Sequence, residues 1–518
     1  MTGINALNFI FRVLCLKIII EMYTPAAPPN SASKNSVLSR TRLLFLIAAC
    51  LSAAHTANPT IFTSISADKA AISQIVIKLL PPTHFNRSLR HTASGKTLIF
   101  TNQTYIINMK QLKAHIPTDK GEMRPFGRVK QTAMQTSKLM QRLSSGIFTE
   151  LAKEKAALIA SGVDVIDLGV GTPNIPPAPV IKQTIADEAM KDSSYVYAIG
   201  DLPELSDAAA QWYSRRYGVE LDPKTEVCAV LGTQEGLAHC CLPVIDPGDT
   251  VILQDPCYPA FFVGAALAHA EVFRVPQRPE NGFITDFADI PSEVAQRAKL
   301  MIVSYPNNPT TAVAPPSFYD ELIAFAKAND IFVIHDNAYS ELAFDGIRVG
   351  SFLAHKGAKD IGAEFNSLSK TYGYAGARLG FCVGNAEYVS GLKQIKSNTD
   401  YGVFLPVQRA GICALECDDA VVRFTSGEYE KRRDLLIRAF DEAGWTITPP
   451  KATMFVWAKT PQAWPDDITF AQMLMRKAGV IVVPGSAFGD QGRGYVRIAL
   501  VQDRDRIEEA ARRISGCL

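Results

Sequence analysis

Residues 366–380 read NSLSKTYGYAGARLG, and no other stretch constrains the chain as much. It offers one lysine, Lys370, behind Ser367 and Ser369 and eight residues before an arginine, Arg378. Phe365, Leu368, Tyr372 and Tyr374 surround that lysine with apolar bulk, which points to a largely buried setting. A buried lysine without an acidic neighbour is costly, and it becomes reactive when kept neutral or tied to a carbonyl carbon. Hydroxyls and an arginine within one short segment are also the groups a phosphate needs. The bland alternative is a basic surface loop, and the rest of the chain must decide.

The chain before this segment alternates apolar strands with helices. VCAVLG, from Val227, is a short strand, and TQEGLAHCCLPVI opens a helix directly from Gly232, so backbone N–H groups there would face an anion. TVILQDPCYPAFFVGAALAHAEVFRVP then supplies strand, turn, helix and strand, with Tyr258 in the turn. In KLMIVSYPNNPTTAVAP, Asn308 follows a strand end, where an α/β sheet places its ligands. IFVIHDNAYSEL closes a buried apolar strand on Asp336, with Tyr339 three residues on, and an aspartate so placed should be paired or functional.

Taken together, NSLSK…GAR, PNNPT, HDNAY and YVRIAL resemble the motifs of class I/II pyridoxal-phosphate (PLP) aminotransferases, in order and at similar spacing, over roughly residues 137–514. The resemblance implies an α/β fold of fold type I: a large domain with a mostly parallel seven-stranded sheet between helices, plus a small α/β domain. It implies an N-terminal arm and part of the small domain over residues 137–180, the large PLP-binding domain over 181–418, and the C-terminal small domain over 419–518.

By the same resemblance Lys370 is catalytic and holds the cofactor aldehyde. Asp336 pairs with the pyridinium nitrogen, Asn308 and Tyr339 bind the phenolic oxygen, and Tyr258 stacks on the ring. Gly232, Thr233, Gln234, Ser367 and Arg378 cradle the phosphate, and Tyr195 reaches it from a neighbouring subunit, which implies a homodimer. Arg497 grips the substrate α-carboxylate, and Gly171 sits in a loop closing over the substrate beside Asn308. Taken alone, an arginine in an edge strand such as Arg497 is a solvated charge. Thr311 replaces a glycine of the family turn, Ala377 a frequent tryptophan, and Gln234 a frequent lysine.

WYSRRYGVELDP, PGDTVILQDPCYP and KATMFVWA look most like LL-diaminopimelate aminotransferases. The expected reaction is amino-group exchange between an amino acid and a 2-oxo acid, with LL-2,6-diaminopimelate and 2-oxoglutarate the first pair. Alanine, methionine or aromatic aminotransferases are the alternatives. A C–S β-lyase would share every cofactor residue, and a PLP-sensing regulator would need a DNA-binding module, for which there is no helix-turn-helix pattern. No nucleic acid or membrane partner is expected.

Charge marks a boundary at the other end. Residues 1–136 carry 16 Lys/Arg against 4 Asp/Glu, and the remainder 37 against 47. This basic head lacks regular periodicity and reads as disordered, as a targeting segment or as a non-native extension. Within it, Arg40 and Arg42 precede LLFLIAACLSAA, a signal-like run too short to span a bilayer. An organelle presequence such as a plastid one, an export signal, and translation from a start codon set too early all fit. The last is favoured because Met109, Met123 and Met134 lie nearer the onset of regular patterning. Ten cysteines without metal-ligand spacing suit buried thiols in a reducing cytoplasm and argue against a zinc site.

Overall fold

The computed structural model describes residues 136–143 and 146–518. Residues 1–135, and with them the expectations for the basic head and its signal-like run, lie outside the described residues. Two helices, Lys138–Arg142 and Gly146–Ala160, precede Gly162. Gly162 follows with φ +85°, a left-handed turn that ends the second helix without strain on a side chain.

After a two-residue strand, β1 (Ile166–Asp167), the chain builds its main sheet from β2 (Val227–Val230), β3 (Thr250–Asp255), β4 (Glu271–Pro276), β5 (Ala298–Ser304), β6 (Phe332–Asp336), β7 (Gly362–Ser367) and β8 (Gly380–Gly384). The order is β2-β8-β7-β6-β5-β3-β4, and only β8 runs antiparallel to its neighbours. Near-continuous apolar strands are what a sheet covered by helices on both faces requires. Period-two alternation sends Met301, Val303 and Val333 to one core and Leu300, Ile302 and Ile334 to the other.

A second, smaller group of strands follows: β9 (Phe455–Lys459), β10 (Val480–Ile481), β11 (Val483–Pro484) and β12 (Tyr495–Ala499). The apolar run VIVVPG is divided at Val482, because β10 pairs with β1 while β11 pairs with β12. β12 is the middle strand of β11-β12-β9, so Arg497 does not lie on an edge as its sequence context suggested. It is buried, with the helices Asp419–Glu442 and Arg504–Ser515 contributing to the same core as these strands.

Candidate active site

The parallel strands deliver their C-terminal ends to one edge of the main sheet, and the chemistry-bearing residues follow those ends. Asp336 is the last residue of β6, Ser367 the last of β7, Asn308 lies just past β5, Tyr258 past β3 and Thr233 past β2. Because β8 is antiparallel, its beginning lies at that same edge, which puts Arg378 there too. Together with Gln234, Tyr339, Lys370, Gly171 and Arg497 these residues line a cavity of about 540 Å³. Gly232 backs the wall: a Cβ there would fall 2.2 Å from Arg378 Nη2, so only glycine lets the guanidinium lie against the turn. Arg378 donates to the carbonyls of Ala375 at 2.8 Å and Leu231 at 3.3 Å.

Burial and charge tune the ionisable groups. Burial, aided by the charges of Arg497 and Arg378, lowers Lys370 to about 8, with Asp336 opposing. Burial raises Asp336 to about 6, against the pull of His335, the Ala338 N–H and Lys370. Burial lowers Arg497 to about 10, opposed by the phenols of Tyr339 and Tyr258, which burial itself keeps protonated. Lys370 Nζ lies 5.9 Å from the centre of the Tyr339 ring, and the Tyr258 hydroxyl donates to Gln234 Oε1.

Arg497 is the most informative cation. Its Nη1 donates to Asn308 Oδ1 at 3.0 Å and its Nη2 to the Gly169 carbonyl at 2.9 Å. Phe455 and Phe488 lie 4.2 and 4.7 Å from its guanidinium carbon. Its buried Nε has no hydrogen-bond partner among the described residues. A buried guanidinium bonded only to neutral groups, with its Nε donor unused, is a costly arrangement that an anion would relieve.

Tyr195 stands apart: it is exposed, its hydroxyl donates to the Ala189 carbonyl at 2.8 Å, and it does not line the cavity. Other residues that do line it were missed. Lys155 and Asp167 form an ion pair at 2.5 Å on its wall, and Asp167 Oδ1 accepts from the Gly169 N–H, shaping the loop that meets Arg497. Asp167 ends the apolar run VDVID as Asp336 ends its own strand, so the same rule would have found it. Phe455 carried no comparable signal.

Among the described residues there is no group of His, Cys, Asp and Glu suited to a metal ion, and no helix long and apolar enough to cross a membrane. The site joins a buried lysine of lowered pKa to two arginines, Arg378 and Arg497, in one cavity of an α/β fold. The chain belongs to the class I and II aminotransferases, matching that family over residues 163–514, a family that is generally PLP-dependent. It is 43% identical to an LL-diaminopimelate aminotransferase of Moorella thermoacetica, over 74% of this chain and 99% of that one. It is 45% identical to one of Syntrophobacter fumaroxidans, over 71% and 95%.

Among solved structures it is similar to substrate-bound BacF of Bacillus subtilis (33% identity, TM-score 0.72, 74% and 98% covered). It is also similar to a probable N-succinyldiaminopimelate aminotransferase of Thermus thermophilus (36%, 0.68, 72% and 100%). The fold is that of fold-type-I aminotransferases, and the enzyme is an aminotransferase.

Proposed function

We propose that this chain binds PLP and exchanges an amino group between LL-2,6-diaminopimelate and 2-oxoglutarate. The observation that carries the cofactor is the convergence of Lys370, Asp336, Asn308, Tyr339, Ser367 and Arg378 on one cavity, with a glycine cradle at Gly232 that a Cβ would fill. The relatives' names support the substrate pair, at 43 and 45% identity.

When bound, PLP supplies an electron sink for the charge left on the substrate α-carbon after its proton is removed. The chain's own residues do the rest. Lys370, lowered to about 8, has a neutral fraction near pH 7 roughly two orders of magnitude above that of an ordinary lysine, and it holds the aldehyde and moves the proton. Asp336 would pair with the ring nitrogen and keep it protonated. Asn308 and Tyr339 would hold the phenolic oxygen, and Tyr258 would supply an aromatic face for the ring. Thr233, Gln234, Ser367 and Arg378 hold the phosphate at the start of the Thr233–His239 helix, which no side chain caps. Arg497 fixes the substrate α-carboxylate, which orients the bond to be broken, and the loop at Gly171 covers it.

A homodimer completes the site in this reading, with Tyr195 of the partner subunit reaching the phosphate. Tyr195, Tyr197, Ile199, Tyr401 and Phe404 are exposed, and Tyr195 packs on Phe404 and Tyr197 on Tyr401, each at 5.7 Å. An aromatic patch of that kind favours a protein partner. The eight described cysteines are free, which suits the cytoplasm we assign to it.

The test is a half-reaction on purified protein, following the absorbance of bound PLP as LL-diaminopimelate, glutamate, alanine and methionine are added separately. Rapid change with the first two alone is expected. Change with alanine but not diaminopimelate would overturn the substrate, and no bound-PLP absorbance would overturn the role of Lys370.

A further inference from the structure

Behind the cavity, on the other face of the main sheet, Glu364 on β7 is a carboxylate with no access to water. Its Oε1 accepts from the hydroxyls of Tyr213 at 3.0 Å and Ser351 at 2.9 Å. Its Oε2 accepts from the Phe352 N–H at 3.0 Å and from His335 Nδ1 at 2.8 Å. Four donors on two oxygens are what an ionised carboxylate takes up. A charge buried this deeply needs a counter-charge, and the one base touching it is His335, itself fully buried. The other ring nitrogen, Nε2, lies 3.4 Å from the Tyr319 hydroxyl, which is able to accept from a protonated ring as well as to donate to a neutral one. Burial keeps the phenols of Tyr213 and Tyr319 neutral.

His335 and Asp336 are consecutive on β6, so strand alternation turns them to opposite faces: Asp336 lines the cavity and His335 meets Glu364 behind it. We propose that His335 and Glu364 form a buried ion pair that keeps Asp336 ionised, making His335 a positioning residue for the cofactor's ring nitrogen. The inference rests on the proposed pairing of Asp336 with that nitrogen.

The pair is neutral as a whole. If His335 could not carry its proton, the charge of Glu364 would stand alone beside Asp336 and drive Asp336 to take up a proton. The balance around Asp336 agrees: burial raises it to about 6, His335 is the largest opposing charge, and Glu364 acts the other way. The remaining groups facing Asp336 are Lys370, which opposes the rise, the Ala338 N–H at 3.3 Å, and the phenols of Tyr258 and Tyr339 with the Cys240 thiol. These last three are held protonated and carry no charge to replace that of His335.

The test is PLP retention by the full chain as a function of pH, read from bound-PLP absorbance after gel filtration. It uses the wild type, His335→Asn, Glu364→Gln and the double variant. Asparagine keeps a donor for Glu364 but cannot carry a proton. On the acid side, the midpoint should rise by about one pH unit in His335→Asn, the size expected of one charge several ångströms away in a protein interior. It should return to the wild-type value in the double variant, where both charges are gone, and not rise in Glu364→Gln, which leaves no carboxylate behind Asp336.

An unmoved midpoint in His335→Asn overturns the inference, and so does a double variant worse than either single one, which is what a structural role gives. If His335→Asn does not fold while the double variant folds with the wild-type midpoint, the same uncompensated charge is responsible and the inference stands. If neither folds, the pair is structural and the inference falls. A wild type that retains no PLP at any pH removes the proposed function first, whereas retention with an unmoved His335→Asn midpoint removes this inference alone.

Discussion

Arg497 and Asn308 are 189 residues apart in sequence and 3.0 Å apart in space, the arginine Nη1 donating to the asparagine Oδ1. The bond joins the middle strand of the small sheet to the turn after β5. It also fixes the amide: with Oδ1 committed to Arg497, the Nδ2 end of Asn308 is the one left to donate. In the proposed reaction one contact thus aligns the group holding the substrate carboxylate with a group holding the cofactor.

Arg497→Lys keeps the charge and loses the planar fork. Asn308 and the Gly169 carbonyl would lose their shared partner, and a carboxylate would lose bidentate contact. We expect kcat/KM for the amino acid to fall about 100-fold or more, roughly 3 kcal/mol, with PLP retention unchanged. Steady-state kinetics beside the absorbance of bound PLP checks this, and an unchanged kcat/KM would refute the assignment of Arg497.

The rate at which the cofactor-free protein takes up PLP should rise with pH and level off above about 8. Lys370 is lowered to about 8, and only its neutral form attacks an aldehyde, so the reactive fraction grows as pH rises through that value. An ordinary lysine would place the midpoint near 10.4. On the acid side, Asp336, raised to about 6, takes up its proton as pH falls through that value and loses its hold on the ring nitrogen. Stopped-flow uptake across pH 5 to 10 would show both limbs, and a single rise near pH 10 would contradict the buried setting of Lys370.

Gly232→Ala should damage the phosphate cradle from behind. Its φ of +73° costs a side chain about 1–2 kcal/mol, and the new Cβ would collide with Arg378 Nη2, 2.2 Å away. Arg378 must then leave its bonds to Ala375 and Leu231. We expect Kd for PLP to rise about tenfold or more, measured by titration of the cofactor-free protein. Equal affinity in the variant would mean that Arg378 does not hold the phosphate.

Much of this was legible because α/β folds write their sites at strand ends. An apolar run ending on Asp336, or one that Asn308 follows, announces an edge where ligands bind. Five strands of the main sheet were readable as apolar runs bounded by turns. What sequence concealed depends on who neighbours whom. VIVVPG serves two sheets, which no local pattern reveals, and β12 is central because β11 and β9 flank it, so Arg497 is buried and not solvated. Phe455 and Phe488 reach Arg497 only through that packing. The His335–Glu364 pair was equally hidden, since register alone brings the two together across β6 and β7.

Thr311, which stands in place of the family's turn glycine, adopts φ +62°, a left-handed conformation that a β-branched side chain enters only under strain. Strain there is about 1–2 kcal/mol, and the greater unfolded-state freedom of glycine offsets about half of it. Thr311→Gly should therefore stabilise the protein by up to about 1 kcal/mol and raise Tm by about 2 °C, read by thermal unfolding. Turnover should be unaffected, because the turn is held by bonds the substitution leaves intact: Thr310 donates to Asn307 Oδ1 through both its N–H and its hydroxyl at 2.9 Å, and the backbone N–H of residue 311 donates to the Asn307 carbonyl at 2.9 Å. A fall in Tm would mean that the threonine side chain stabilises its buried position by more than the backbone strain costs.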